Sequence, residues 1–166
     1  MSVLDEPSAQ WNEEDLVALI DGSVEESLQL EYKRCAALAD PSKARDDICN
    51  EFSKDVSSFA NSAGGALVYG IIETGHKPTA LDDGFDPAVI KKEWLEDVIQ
   101  GRVHPKIDGL VINPVKLSGT RHGKAAYVIS IPLSRGRFRN SAMDSVGSLQ
   151  RFSLNRQNDA LDRARA

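Results

Sequence analysis

The segment Phe59-Ala-Asn61-Ser-Ala-Gly64-Gly65-Ala-Leu-Val-Tyr-Gly70 constrains the fold of this chain more than any other. Upstream of it, Ile48, Phe52, Val56, Phe59 and Ala60 recur at spacings of four, four, three and one, which marks one apolar face of a helix. Downstream, residues 66–72 form a near-continuous apolar run, the pattern of a central strand covered on both faces. The double glycine between them stops the helix, because a left-handed residue just past a helix end costs glycine little. A helix that opens at Ser42 and turns into a buried strand implies a sheet with helices against it.

The rest of the chain fits around that unit. Residues 1–11 read as a loose arm. Asn12 caps a short helix over Glu13–Asp21, with acids in its first turn. Leu28, Leu30 and Tyr32 alternate with Gln29, Glu31 and Lys33, as in a half-buried strand, and residues 36–41 are a connection. After a turn at 74–78, Asp86-Pro87 starts a helix that runs to about Gln100. Two strands follow, 109–117 and 124–132, joined as a hairpin by 118–123, with a last strand at 149–154. This order predicts a single-domain α+β fold, a mixed β-sheet with helices packed mainly on one side. By segments, residues 1–22 are an acidic arm and short helix, 23–134 the domain, and 135–166 a basic tail.

Composition narrows the class. A chain of 166 residues, 41% hydrophobic and 27% charged, is long enough to bury a core and is ordinary for a soluble globular protein. No apolar run approaches the length that crosses a bilayer, and the acidic start is unlike a secretion signal. Cys35 and Cys49 form no Cys-x-x-Cys pair, so they read as reduced thiols in a cytoplasmic protein, Cys49 packing in a helix face. The net charge of −5 opposes generic nucleic-acid binding, but it is unevenly spread. Residues 1–31 hold nine acids and no Lys or Arg, whereas residues 135–166 hold seven arginines against Asp144, Asp159 and Asp162. A basic end leaves room for a phosphate-binding face.

Three acids and a lysine are the candidate chemistry. Glu31 and Lys33 project from the same side of a strand, because side chains alternate with period two. Glu26 lies at an odd offset from Glu31, so it meets Glu31 only from a turn or bulge before the strand. Glu73 follows the second strand. Such carboxylates can hold Mg²⁺ or Mn²⁺ against a phosphodiester, with Lys33 steadying developing charge. The same residues equally read as a solvated charged stripe, and spacing alone favours that. Asn61 and Gly64-Gly65 follow a helix C-terminus, where the dipole disfavours phosphate, and no Walker sequence is present, so no nucleotide is expected. Those residues are expected to shape the helix-to-strand turn. His76, His104 and His122 read as surface or turn residues. Arg102, Lys106, Arg121, Lys124 and the tail arginines are the candidates for phosphate contacts.

Two segments carry a family resemblance: Glu26-Ser-x-x-Leu-Glu31-Tyr-Lys33, and Phe59-Ala-Asn61-Ser-x-Gly64-Gly65-x-Leu-x-x-Gly70-Ile-x-Glu73. With Val103-His-Pro105 and Tyr127-Val-Ile-Ser-Ile-Pro132, they resemble the Schlafen-type AlbA-like domain over residues 24–134. That domain occurs in Schlafen proteins and in many bacterial and phage proteins assigned to DNA binding or transcriptional regulation. The resemblance implies an α/β module that binds RNA or DNA, in regulation or defence. In Schlafen proteins two such lobes form a clamp that cleaves transfer and ribosomal RNA, so it also implies a homodimer. Its three catalytic acids correspond to Glu26, Glu31 and Glu73, although Ile72 stands where the family often has a further acid. The resemblance therefore admits three readings: a binding module, a metal-dependent endoribonuclease with Mg or Mn, and an interaction domain without either activity.

Overall fold

The computed structural model describes residues 2–141. Helix α1 (Glu13–Asp21) starts where its cap predicts: the Asn12 side chain accepts from the Glu14 and Asp15 N–H groups, and Asp15 accepts from the Asn12 N–H. Strand β1 (Leu30–Lys33), the single-turn α2 (Ala36–Ala39) and the long α3 (Arg45–Asn61) follow. Strands β2 (Gly65–Tyr69), β3 (Ile71–Thr74) and β4 (Lys77–Leu81) lead to α4 (Lys92–Arg102). The described chain ends with β5 (Val103–His104), β6 (Val111–Lys116), β7 (Ala125–Ile131) and β8 (Arg139–Asn140).

The main sheet has the order β1-β2-β7-β6, with β1 parallel to β2 and the other pairs antiparallel. The α+β class with a mixed sheet is therefore what the chain adopts. Because β2 and β7 are central, both of their faces are buried, and the sheet divides two cores. One core holds Phe52 and Val56 of α3 and Leu95 and Ile99 of α4 against Leu67, Tyr69, Tyr127 and Ile129. The other holds Trp11, Leu16 and Leu19 against Leu30, Tyr32, Val68 and Val128. Helices α2, α3 and α4 thus share one face, and α1 with the N-terminal arm covers the other.

Several local expectations are corrected. The arm is not loose: Trp11 is buried, Ser8 Oγ donates to Ser130 Oγ, and Asn113 Nδ2 donates to the Trp11 carbonyl. The run 66–72 is two strands rather than one. Gly70, at φ 115°, sits so close to β7 that a Cβ would meet the Ala126 Cβ at 3.0 Å, and beyond it β3 leaves to pair with β4. The helix expected from Asp86 begins only at Lys92. Asp86 does open a turn, accepting from Val89 and Ile90, but the Tyr127 hydroxyl takes the Ile90 carbonyl and Lys91 is extended. Leu28 is 78% exposed, ahead of the strand that was to contain it. Part of the basic tail is packed, since Phe138 and Asn140 are buried beside α3 and β8 pairs with β5. The strand expected at 149–154 lies outside the described residues.

Candidate functional site

Strands β3 and β4 form a hairpin whose two-residue loop, Gly75-His76, has φ values of 58° and 65°. Positive φ at both loop residues is the type I′ geometry that matches the twist of paired strands. The loop folds back on the turn before β1. Glu26 N–H donates to the His76 carbonyl (2.8 Å), and His76 Nδ1 lies 2.7 Å from Glu26 Oε2. Glu73 Oε2 accepts from the His76 N–H at 3.0 Å. The other oxygen of Glu26 accepts from the Tyr32 N–H at 2.9 Å, closing a backbone donor on the outer edge of β1. Glu26 thus sits in the turn before the strand, but it meets His76 there and not Glu31.

This arrangement brings Glu26, Glu73 and His76 together, with one ligand atom of each within 4.8 Å of the others. Two carboxylates and an imidazole fit a hard divalent cation such as Mn²⁺. The hydrogen bond that Glu26 accepts from the His76 ring, with the charges of Glu26, Glu73 and Glu25, raises the His76 pKa above its ordinary value. Sequence reading missed His76. The available signal was a Gly-His pair between two short β-patterns, which is a hairpin loop before it is anything else.

Glu31 belongs to a different set. It and Lys33 lie on the α3 face of β1, where Lys33 Nζ is 2.8 Å from Glu31 and 3.4 Å from Asp55 of α3. Burial pushes the Lys33 pKa down, but the two carboxylates outweigh it and hold the ammonium charged. Burial raises the Asp55 carboxyl, since one lysine shared with Glu31 does not neutralise both acids. Asp55 was the other residue that sequence reading passed over.

The candidate phosphate contacts separate in the same way. Arg102 is occupied by Asp46 (2.6 Å) and Asn50, and Arg121 donates to the Leu81 and Asp82 carbonyls at 2.9 and 2.6 Å. Lys33 is committed to its acids. Lys106 and Lys124 are exposed and make no ion pair among the described residues. The same holds for Arg135, Arg137 and Arg139. Arg139 lies directly across from His104 in the β5–β8 ribbon, and His104 is two residues before Lys106 in sequence. Asn61 pins this ribbon: its Oδ1 accepts from the Phe138 N–H at 2.7 Å and its Nδ2 donates to the Phe138 carbonyl at 2.8 Å. Asn140 Nδ2 adds a bond to Ser53 Oγ at 2.8 Å. Asn61 therefore acts across the fold, beyond the turn that follows it.

A search of curated proteins finds no match. Among solved structures, the DIP2311 protein from Corynebacterium diphtheriae is similar at 15% identity and a TM-score of 0.47, over 84% of this chain. The matched part is 26% of that protein's chain. No described helix is long and apolar enough to cross a membrane. The profile of the family described as "Schlafen, AlbA_2" matches residues 26–157, from Glu26 through both glycine-flanked strands and the ribbon. That match spans most of the chain and places it in the Schlafen AlbA_2 family, which suggests a nucleic-acid-related domain.

Proposed function

We propose that this protein binds nucleic acid by its phosphate backbone, along the β5–β8 ribbon. The observation that carries the reading is the group Lys106, Arg135, Arg137 and Arg139, exposed and without ion pairs among the described residues, in and beside a ribbon that Asn61 and Asn140 tie to α3. Backbone contacts of this kind carry affinity without reading sequence. The test is fluorescence anisotropy with labelled RNA and DNA at low salt. Binding that weakens several-fold in R135A/R137A/R139A supports the reading, and absence of binding by the wild type at low salt ends it. A homodimer belongs to the same proposal, because a clamp needs two lobes; light scattering with and without nucleic acid measures it.

A second reading, a metal-dependent endoribonuclease in regulation or defence, is favoured by the Glu26–Glu73–His76 set. Bound there, Mg²⁺ or Mn²⁺ would polarise a phosphate and acidify a water. The chain's own part is orientation: the Tyr32 N–H fixes Glu26, and the His76 N–H fixes Glu73. Glu31 would join as a third acid only by leaving Lys33. Transfer RNA incubated with Mn²⁺, with EDTA and with the E26Q and E31Q variants decides this. Cleavage that survives EDTA or both substitutions removes the metal reading, and binding without any cleavage leaves the module alone.

A further inference from the structure

We infer that His76, rather than Glu31, is the third ligand of an ion held by Glu26 and Glu73, and that the site therefore takes a transition-metal ion in preference to Mg²⁺. The inference rests on the metal reading above and names its ligands and class of ion. Position is the first ground. His76 Nδ1 and Glu26 Oε2 are 2.7 Å apart, and Glu73 Oε2 lies 3.0 Å from the His76 N–H. One ligand atom of each residue falls within 4.8 Å of the others, so a single ion can reach all three. Their segments are already joined without an ion. Glu26 N–H donates to the His76 carbonyl at 2.8 Å, and Tyr32 N–H donates to the other Glu26 oxygen at 2.9 Å.

Glu31 is placed elsewhere. It lies on the α3 face of β1, 2.8 Å from Lys33, which it shares with Asp55. The hairpin that carries Glu73 and His76 sits on the other side of the sheet, since its Ile71 and Leu81 pack in the core with Leu16 and Leu19. Moving Glu31 to the ion would break its pair and leave Lys33 to Asp55 alone. Exchanging a carboxylate for an imidazole changes which ions suit the site. Imidazole nitrogen is a ligand for zinc, nickel and iron, whereas Mg²⁺ selects oxygen and keeps several waters. Mg²⁺ would use the two carboxylates alone and gain nothing from His76. For a mixed nitrogen–oxygen site, affinity rises along the first transition series from Mn²⁺. Three protein ligands leave further positions to water or a phosphate oxygen, as in catalytic sites.

Titration calorimetry of the intact protein with ZnCl₂, CoCl₂, MnCl₂ and MgCl₂ tests this, with H76N and E31Q as variants. Asparagine tolerates the φ of 65° at residue 76, and Lys33 keeps Asp55 in E31Q. We expect Zn²⁺ and Co²⁺ to bind about tenfold or more tighter than Mg²⁺. H76N should weaken them about tenfold or more, the scale seen when even a supporting residue of a metal site is lost. E31Q should leave their affinity unchanged. Equal affinity for Mg²⁺ and the transition ions overturns the inference and leaves the metal reading standing. Transition-ion binding that ignores H76N, or that is lost in E31Q, overturns it too. No binding of any ion removes the inference and the metal reading together.

Discussion

Glu26 joins two parts of the chain that no local pattern connects. Its backbone N–H and one carboxylate oxygen hold His76, and its other oxygen holds the edge of β1. The Glu26 carboxylate and the charges around it raise the His76 pKa above 6.5. A folded-state value above the unfolded one means stability that is fully present below pH 6.5 and is lost as pH rises through the raised value. The hairpin loop should therefore hold most firmly in mild acid and loosen toward neutral and alkaline pH. An NMR titration of the His76 ring checks this, and in E26Q its midpoint should fall back toward 6.5. A midpoint unmoved by E26Q would disprove the pairing. Gly65 makes a steric argument of the same scale. At φ 127°, an added Cβ would lie 2.1 Å from the Gln29 carbonyl oxygen, which is backbone and has no easy way to yield. Gly65→Ala should cost about 3 kcal/mol or more from strain and overpacking, measured by denaturant unfolding.

At the scale of elements, the decisive contact is the reciprocal pair of hydrogen bonds between Asn61 and Phe138. Asn61→Ala leaves a peptide group without its partners beside α3, which should cost about 1–3 kcal/mol. It should also speed amide exchange at Phe138 and weaken nucleic-acid binding with every arginine still present. Unchanged exchange there would mean that the ribbon is held by something else. This element also shows where sequence reading ends. Helix α1 and the α3–β2 junction were legible because cap, apolar period and glycine stop lie within a few residues of one another. The parity of Glu26 and Glu31 required a turn or bulge only if the two acids met, and in the fold Glu31 sits with Lys33 and Asp55 instead. Strand β8 was not legible: Arg-Phe-Arg-Asn has no strand-like run, and its anchors are 77 and 87 residues away. His76 was read as a turn residue for the same reason, with its carboxylate 50 residues distant. Gly70 hid the end of β2 inside an apolar run that looks continuous.

For the whole molecule, the sheet separates the charges that the sequence merely orders. The acidic arm and α1 pack into the core on one face, through Trp11, Leu16 and Leu19. The ribbon is anchored in the other core, through Val103 and Phe138. An arm that masked the ribbon as an acidic mimic would have to leave its own buried contacts. Deleting residues 2–22 should accordingly lower the melting temperature by several degrees, because it uncovers buried side chains, and should not tighten binding. Separated charge also explains how a chain of net charge −5 can hold an anion. Salt screens exposed charges separated by more than a Debye length, about 10 Å at 0.1 M, while cations touching phosphate still release counterions. Four such contacts to a single strand predict that the logarithm of the binding constant falls with the logarithm of salt at a slope of about −3. Each cation removed from Lys106, Arg135, Arg137 and Arg139 should flatten that slope by about 0.7. Substituting Arg102 or Arg121, already engaged within the fold, should leave it unchanged. A slope that responds equally to all six residues would place the phosphates somewhere other than the ribbon.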